Sequence, residues 1–298
     1  MTCLRGGNYT DFIIYKDEMT NYSPTRHQQQ QDINSNKNSK INCFYKTKMA
    51  SNNEIRIVLV GKTGAGKTTT MYKLLGKENP EAGFKSASSR TTECKIETVE
   101  KDGYRLVVVD TPGVDNTKLT EAAVKKEIVK CMTYAAPGPH VILYVLKAKH
   151  FTTEDCTAIE IIQKMFGGKE SKNYTMALFT RGDDPEISIM EDKHMKAFCD
   201  QYYSFVSNGD VSELLNKIKD MVKENQFYTN DMFKKAQEVL EQEIKKKEVK
   251  GMTPKIATDD LARAVDVLLA LTIGEPWKSV VDDVVNIVSK KVEQCATQ

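Results

Sequence analysis

The chain has 298 residues, 40% of them hydrophobic, enough for one large domain or two small ones with a sizeable core. Its 43 basic and 41 acidic residues leave a formal charge of +2, without the basic excess of a nucleic-acid binder, so no nucleic-acid partner is expected. Seven scattered cysteines with no CxxC pair argue against a disulfide framework and fit a reducing, cytoplasmic setting. No run reaches the ~18 apolar residues of a membrane span.

Residues 1–53 read as a disordered leader. The stretch 20–42 includes Gln28–Gln31 and many Asn, Ser and Lys with almost nothing apolar, too little to offset the entropy of ordering. The pattern changes at Glu54. Ile55–Val60 is a β-branched apolar run that predicts a buried strand. A Gly-rich turn and a helix over 67–75 follow. Further strands are expected at 93–99, 104–109, 140–146, 173–179 and 202–206, and helices at 121–133, 154–166, 190–198 and 210–225. Strands alternating with helices imply an α/β fold of three layers, with a mainly parallel six-stranded sheet.

That domain is expected over 54–229, with a helical extension over 230–298. Met232, Ala236, Val239, Leu240 and Ile244 fall on one helical face, and Glu241–Lys245 and Glu243–Lys247 have i,i+4 spacing. Asp259 or Asp260 is expected to cap a second helix. Glu275–Pro276–Trp277 opens a third, whose Trp277, Val280, Val281, Val284, Val285, Val288 and Val292 form an apolar stripe. These helices are expected to pack on the domain or on each other; a peripheral membrane surface or a protein is the alternative partner.

The decisive segment is Gly61-Lys62-Thr63-Gly64-Ala65-Gly66-Lys67-Thr68, which fits GxxxxGK[ST] between a strand and a helix. Glycines let the backbone curl so that its N–H groups face phosphate oxygens. The helix N-terminus that follows, with Thr69 in its first turn, adds positive potential. Lys67 supplies a point charge and Thr68 a hydroxyl for Mg²⁺. Asp110-Thr111-Pro112-Gly113 ends the strand at 104–109, about 43 residues beyond Lys67. A carboxylate there suits Mg²⁺, and Gly113 suits a γ-phosphate sensor. Ser86–Thr92 is rich in hydroxyls; Thr91 is the expected switch threonine closing on Mg²⁺, and Thr92 the next choice. Thr180-Arg181-Gly182-Asp183-Asp184 follows a strand and partly fits an [NT]KxD guanine-reading loop, with Asp183 favoured and Asp184 the reader if the loop shifts by one.

On these motifs the chain resembles the AIG1-type GTPases, known in vertebrates as GTPases of immunity-associated proteins. The resemblance also rests on Ala135-Ala136-Pro137-Gly138-Pro139-His140-Val141, Phe151-Thr152-Thr153-Glu154-Asp155, the T-x-x-C from Thr91 to Cys94, and Cys199 before Tyr202-Tyr203-Ser204-Phe205. It covers roughly residues 54–230. It implies a GTPase binding GTP and GDP with Mg²⁺, and dimers or oligomers formed through the nucleotide face. Asn208 is the base-side residue it leaves, and His140 is expected to pack within its box. Gly182 departs from the family's usual Lys. Val114 stands where Ras-like enzymes place a water-orienting Gln, which implies slow hydrolysis by the monomer and help from another group, such as Arg90 across a dimer. A nucleotide-binding module with negligible hydrolysis and a P-loop ATPase or kinase are the alternatives.

Overall fold

The computed structural model describes residues 53–79, 91–115, 120–148, 151–180, 187–205, 211–222, 226–249, 258–271 and 277–296. They lie within one compact unit, Asn52–Gln298. Apart from its last position, the expected leader lies outside the described residues.

Six strands form one sheet in the order β2-β3-β1-β4-β5-β6. They are β1 (Glu54–Val60), β2 (Lys95–Lys101), β3 (Tyr104–Asp110), β4 (Val141–Lys147), β5 (Thr175–Thr180) and β6 (Gln201–Phe205). Only β2 runs antiparallel, joined to β3 through Asp102 and Gly103, both with positive φ (51° and 77°). That is the two-residue turn that matches strand twist. β2 is an edge strand with Lys and Glu along it, which discourages pairing with another chain.

The central strands are buried on both faces, as a parallel sheet under two helical layers requires. Ile55, Ile57 and Leu59 of β1 and Val141, Leu143 and Val145 of β4 face one core. That core is closed by α1 (Lys67–Leu75) and α6 (Val211–Met221). Val58, Val60, Ile142, Tyr144 and Leu146 face the other. Its helices are α2 (Glu121–Ala135), α3 (Thr153–Phe166), α4 (Ile187–Glu191) and α5 (Lys193–Phe198). This second core continues into α7 (Asp231–Val249), α8 (Thr258–Leu271) and α9 (Trp277–Ala296) through Phe233, Leu240, Leu268, Val281 and Val284. The C-terminal helices therefore fold back onto α2 and α3. None of the described helices is long and apolar enough to cross a membrane.

Several expectations need correction. The helix expected over 190–198 is two, because the Asp192 carboxylate accepts from the amides of His194 (2.7 Å) and Met195 (3.4 Å) and starts α5 afresh. The strand expected from 173 begins at Thr175, after a 3-10 turn over Gly168–Tyr174. Ser171 Oγ donates to Gly168 O and Thr175 Oγ1 to Ser171 O, which holds that turn. Neither Asp259 nor Asp260 caps α8; both lie in its first turn. Asp260 instead pairs with Lys247 and Arg263, and Glu243 with Lys246 and Arg263, which ties α7 to α8.

Candidate functional site

The three loops that the sequence singles out begin at the C-terminal ends of β1, β3 and β5, the rim where parallel sheets bind ligands. The loop after β1 runs from Gly61 to Gly66. Gly61, Gly64 and Gly66 have φ of 140°, 71° and 110°, conformations open to glycine and strained for other residues. Gly66 opens α1 without a side-chain cap, so the first amides of that helix have no side chain satisfying them from its N-cap.

Lys67 is buried, 5% exposed. Its ammonium donates to Gly61 O at 2.9 Å and Lys62 O at 2.8 Å, curled back over the loop. Burial pushes it down to about 8, against the opposing pull of Asp110 and Asp115. Thr68 Oγ1 donates to Asp110 Oδ2 at 2.6 Å and lies 2.9 Å from Thr91 Oγ1. Thr68, Thr91 and Asp110, expected to surround one cation, thus meet at one point beside that ammonium. Thr92, the next choice, is exposed. Hydroxyl and carboxylate oxygens are the donor chemistry that a hard divalent cation takes.

Gly113 lies so close to Thr63 that a Cβ there would overlap Thr63 Oγ1 and its amide. The Thr63 amide donates to Asp115 Oδ1 at 2.6 Å. Thr63 Oγ1 is buried with no hydrogen-bond partner among the described residues. A cradle with an orphaned hydroxyl, positive-φ glycines and an adjacent buried ammonium fits a phosphate group. Thr69 is exposed on the first turn of α1.

Other contacts had no signal in the sequence. Lys62 Nζ reaches Thr152 Oγ1 (3.2 Å) and Asp155 Oδ2 (3.3 Å), bracing the loop on the start of α3. Cys94 N and Glu127 share a hydrogen bond, and Lys130 pairs with both Glu93 and Glu127. The segment after Thr91 is thereby fastened to α2. An apolar cavity of about 60 Å³ lies under Thr111–Val114, with Val284 and Val288 of α9 in its wall.

Thr180, expected at the base, is the last residue of β5. Its hydroxyl donates to Ala65 O at 2.7 Å and Leu146 O at 3.2 Å, so it props the loop after β1. Arg181, Asp183, Asp184, Asn208 and Arg90 lie outside the described residues. His140 is 1% exposed at the start of β4, beside Arg56 and at the opposite rim from Lys67. Its Nδ1 accepts from Arg56 N at 2.9 Å and its ring meets Phe227 edge-on at 5.7 Å.

Comparison with known proteins gives a consistent picture. The profile of the AIG1 family matches residues 55–248. The chain is 29% identical over 224 residues to "Immune-associated nucleotide-binding protein 9" of Arabidopsis thaliana, covering 67% of this chain and 65% of that protein. It is 30% identical over 192 residues to the human "GTPase IMAP family member 8", covering 58% of this chain and 28% of that one. The chain thus spans only part of each relative's length. Among solved structures, Toc33 from Arabidopsis thaliana in complex with Mg²⁺ and GMPPNP aligns with a TM-score of 0.44 and 19% identity, over 64% of this chain and 93% of that one. A likeness that distant carries no functional argument.

Proposed function

Because this chain belongs to the AIG1 family, we propose that it binds GTP and GDP with Mg²⁺, hydrolyses GTP slowly, and lets the bound nucleotide control dimerisation or oligomerisation through the nucleotide-bearing face. The observation that carries this reading is the meeting of Thr68, Thr91 and Asp110 beside the buried Lys67 ammonium. The backbone of Gly61–Thr69 would wrap the phosphates, with Lys67 moving from the loop carbonyls to phosphate oxygens. Thr68, Thr91 and Asp110 would hold the metal, which when bound neutralises phosphate charge. Arg181, Asp183 or Asp184, and Asn208 would face the guanine, with Thr180 holding the loop edge beneath them. Residues 54–229 would form the nucleotide-binding domain. The extension over 230–298, packed beside Thr111–Val114, would meet protein or membrane partners.

The Asp115 carboxylate must leave the Thr63 amide for a phosphate oxygen to take its place. Occupancy of the loop is thereby linked to the position of residues 111–115.

Slowness follows from Val114. Its amide donates to Gly61 O at 3.3 Å and its side chain packs against the core, so no side chain at that position orients a water. Single-turnover GTP hydrolysis over a range of protein concentrations tests the reading. A slow rate that climbs with concentration is expected; a fast rate independent of concentration would refute it. Val114 also favours a second reading, binding with negligible hydrolysis, for which the rate stays at the uncatalysed floor throughout.

A further inference from the structure

Away from the phosphate loop, three unlike donors converge on one side of α3. Cys156 stands in the first turn of that helix, and Asp192 and His194 sit at the junction of α4 and α5. Cys156 Sγ lies 3.4 Å from His194 Nδ1, and Nδ1 lies 3.2 Å from Asp192 Oδ1. All three atoms fall within 4.8 Å of one another.

A single hydrogen on Nδ1 can serve only one of its two neighbours. One ring nitrogen stands between a carboxylate and a thiol. With its hydrogen on, Nδ1 donates to Asp192 and leaves the thiol hydrogen no acceptor there. With its hydrogen off, it accepts from the thiol and turns a lone pair toward the carboxylate.

The spacing suits a metal. Tetrahedral zinc, bound at about 2.0–2.1 Å to nitrogen or oxygen and about 2.3 Å to sulfur, separates nitrogen from oxygen by roughly 3.3 Å and sulfur from nitrogen by roughly 3.6 Å. The observed nitrogen–oxygen and sulfur–nitrogen edges of 3.2 and 3.4 Å fall just short of those lengths, and the sulfur–oxygen edge lies within 4.8 Å. The amides of His194 and Met195 donate to the same Asp192 Oδ1 and hold that carboxylate in place beside Nδ1. The side chains of His194 and Asp192 are 43% and 33% exposed, which leaves a fourth position for water.

We propose that Cys156, Asp192 and His194 form a Zn²⁺ site, separate from the Mg²⁺ position at Thr68, that clamps α3 to the α4–α5 junction. The thiol proton is released to solvent as sulfur binds, and the histidine offers a bare Nδ1. The mixed sulfur, nitrogen and oxygen set is unsuited to Mg²⁺, which prefers oxygen ligands alone. The clamp would steady the chain just beyond the predicted guanine loop, since β5 ends at Thr180 and α4 starts at Ile187.

The test uses the full chain, stripped of metal by a chelator and returned to saturating Mg²⁺ and GDP, then titrated with Co²⁺ as a spectroscopic stand-in for zinc. One equivalent should give a thiolate-to-cobalt charge-transfer band that Zn²⁺ abolishes. The band should vanish in Cys156→Ser and His194→Ala. It should weaken in Asp192→Asn, which keeps an N-cap residue and hence the fold. In parallel, Zn²⁺ should protect Cys156 from alkylation, read by peptide mass. No band, a band unchanged in these variants, or protection that survives His194→Ala would each overturn the site.

Discussion

At the scale of single residues, the site is held by groups that pair with each other where a nucleotide would pair with them. Lys67 takes two carbonyls of its own loop, and Asp115 takes the Thr63 amide. A carboxylate on that amide competes with a phosphate oxygen for the same donor and adds like-charge repulsion. Asp115→Ala should therefore tighten binding of a non-hydrolysable GTP analogue, by roughly threefold to tenfold, the worth of one hydrogen bond. GDP should gain less. Equilibrium titration with both nucleotides checks this, and equal or weaker binding of the analogue would contradict it. Thr68 and Asp110 were legible in sequence because each sits at a fixed place after or at the end of a strand, whereas Thr91 was picked from a hydroxyl-rich stretch. The Asp115–Thr63 and Lys62–Asp155 contacts were not, since they join positions 52 and 93 residues apart. Only the folded loops bring these together. Thr180 shows the complementary difficulty: a residue type chosen for the base loop has its hydroxyl bound to the neighbouring loop's carbonyl.

At the scale of elements, the box over 135–141 works as a fastener. Arg56 Nε donates to Gly138 O, Tyr228 N to Pro139 O and Thr229 Oγ1 to Pro137 O. The chain leading into α7 is thereby fixed at the rim opposite Lys67, and buried Tyr228 packs among Phe166, Tyr174 and Phe233. Gly138 has φ 151°, and a Cβ there would overlap the Tyr228 carbonyl. Gly138→Ala should cost roughly 2–3 kcal/mol from strain and lost contact. Chemical denaturation would measure it, and a change within experimental error would contradict the fastener. The second joint, α7 to α8, is ionic. The hydrogen bond from Lys246, reinforced by Arg263, holds the Glu243 carboxyl below its ordinary value. A depressed carboxylate stabilises the fold above its unfolded pKa, and that contribution is lost as pH falls through the folded one. Glu243→Gln should thus lower the melting temperature at neutral pH, and the gap from the parent chain should close in acid. A gap independent of pH would assign Glu243 to packing alone. Sequence periodicity located α7 to α9 because their apolar stripes repeat at helical spacing. It did not give their packing onto α2 and α3, because a stripe names the face that is buried and not what covers it.

At the scale of the whole molecule, a mainly parallel sheet sets the loop after β1, Asp110 and Thr180 along one rim and fastens the helical extension at the other. The order of elements was readable from alternating strand and helix patterns and from the turn residues between them. The break at Asp192 was less so, since it depends on one side chain capping a new helix within an otherwise helical run. We propose that the rim built around Lys67, Thr68, Thr91 and Asp110 binds guanine nucleotide with Mg²⁺. The most direct test is a titration of the purified chain with a fluorescent GDP, with and without Mg²⁺, followed by competition with GTP, GDP and ATP. Binding should be saturable, weaken when Mg²⁺ is withdrawn or in Lys67→Ala, and be displaced by GTP and GDP but not by ATP. No binding with Mg²⁺ present, or displacement by ATP as readily as by GTP, would contradict it.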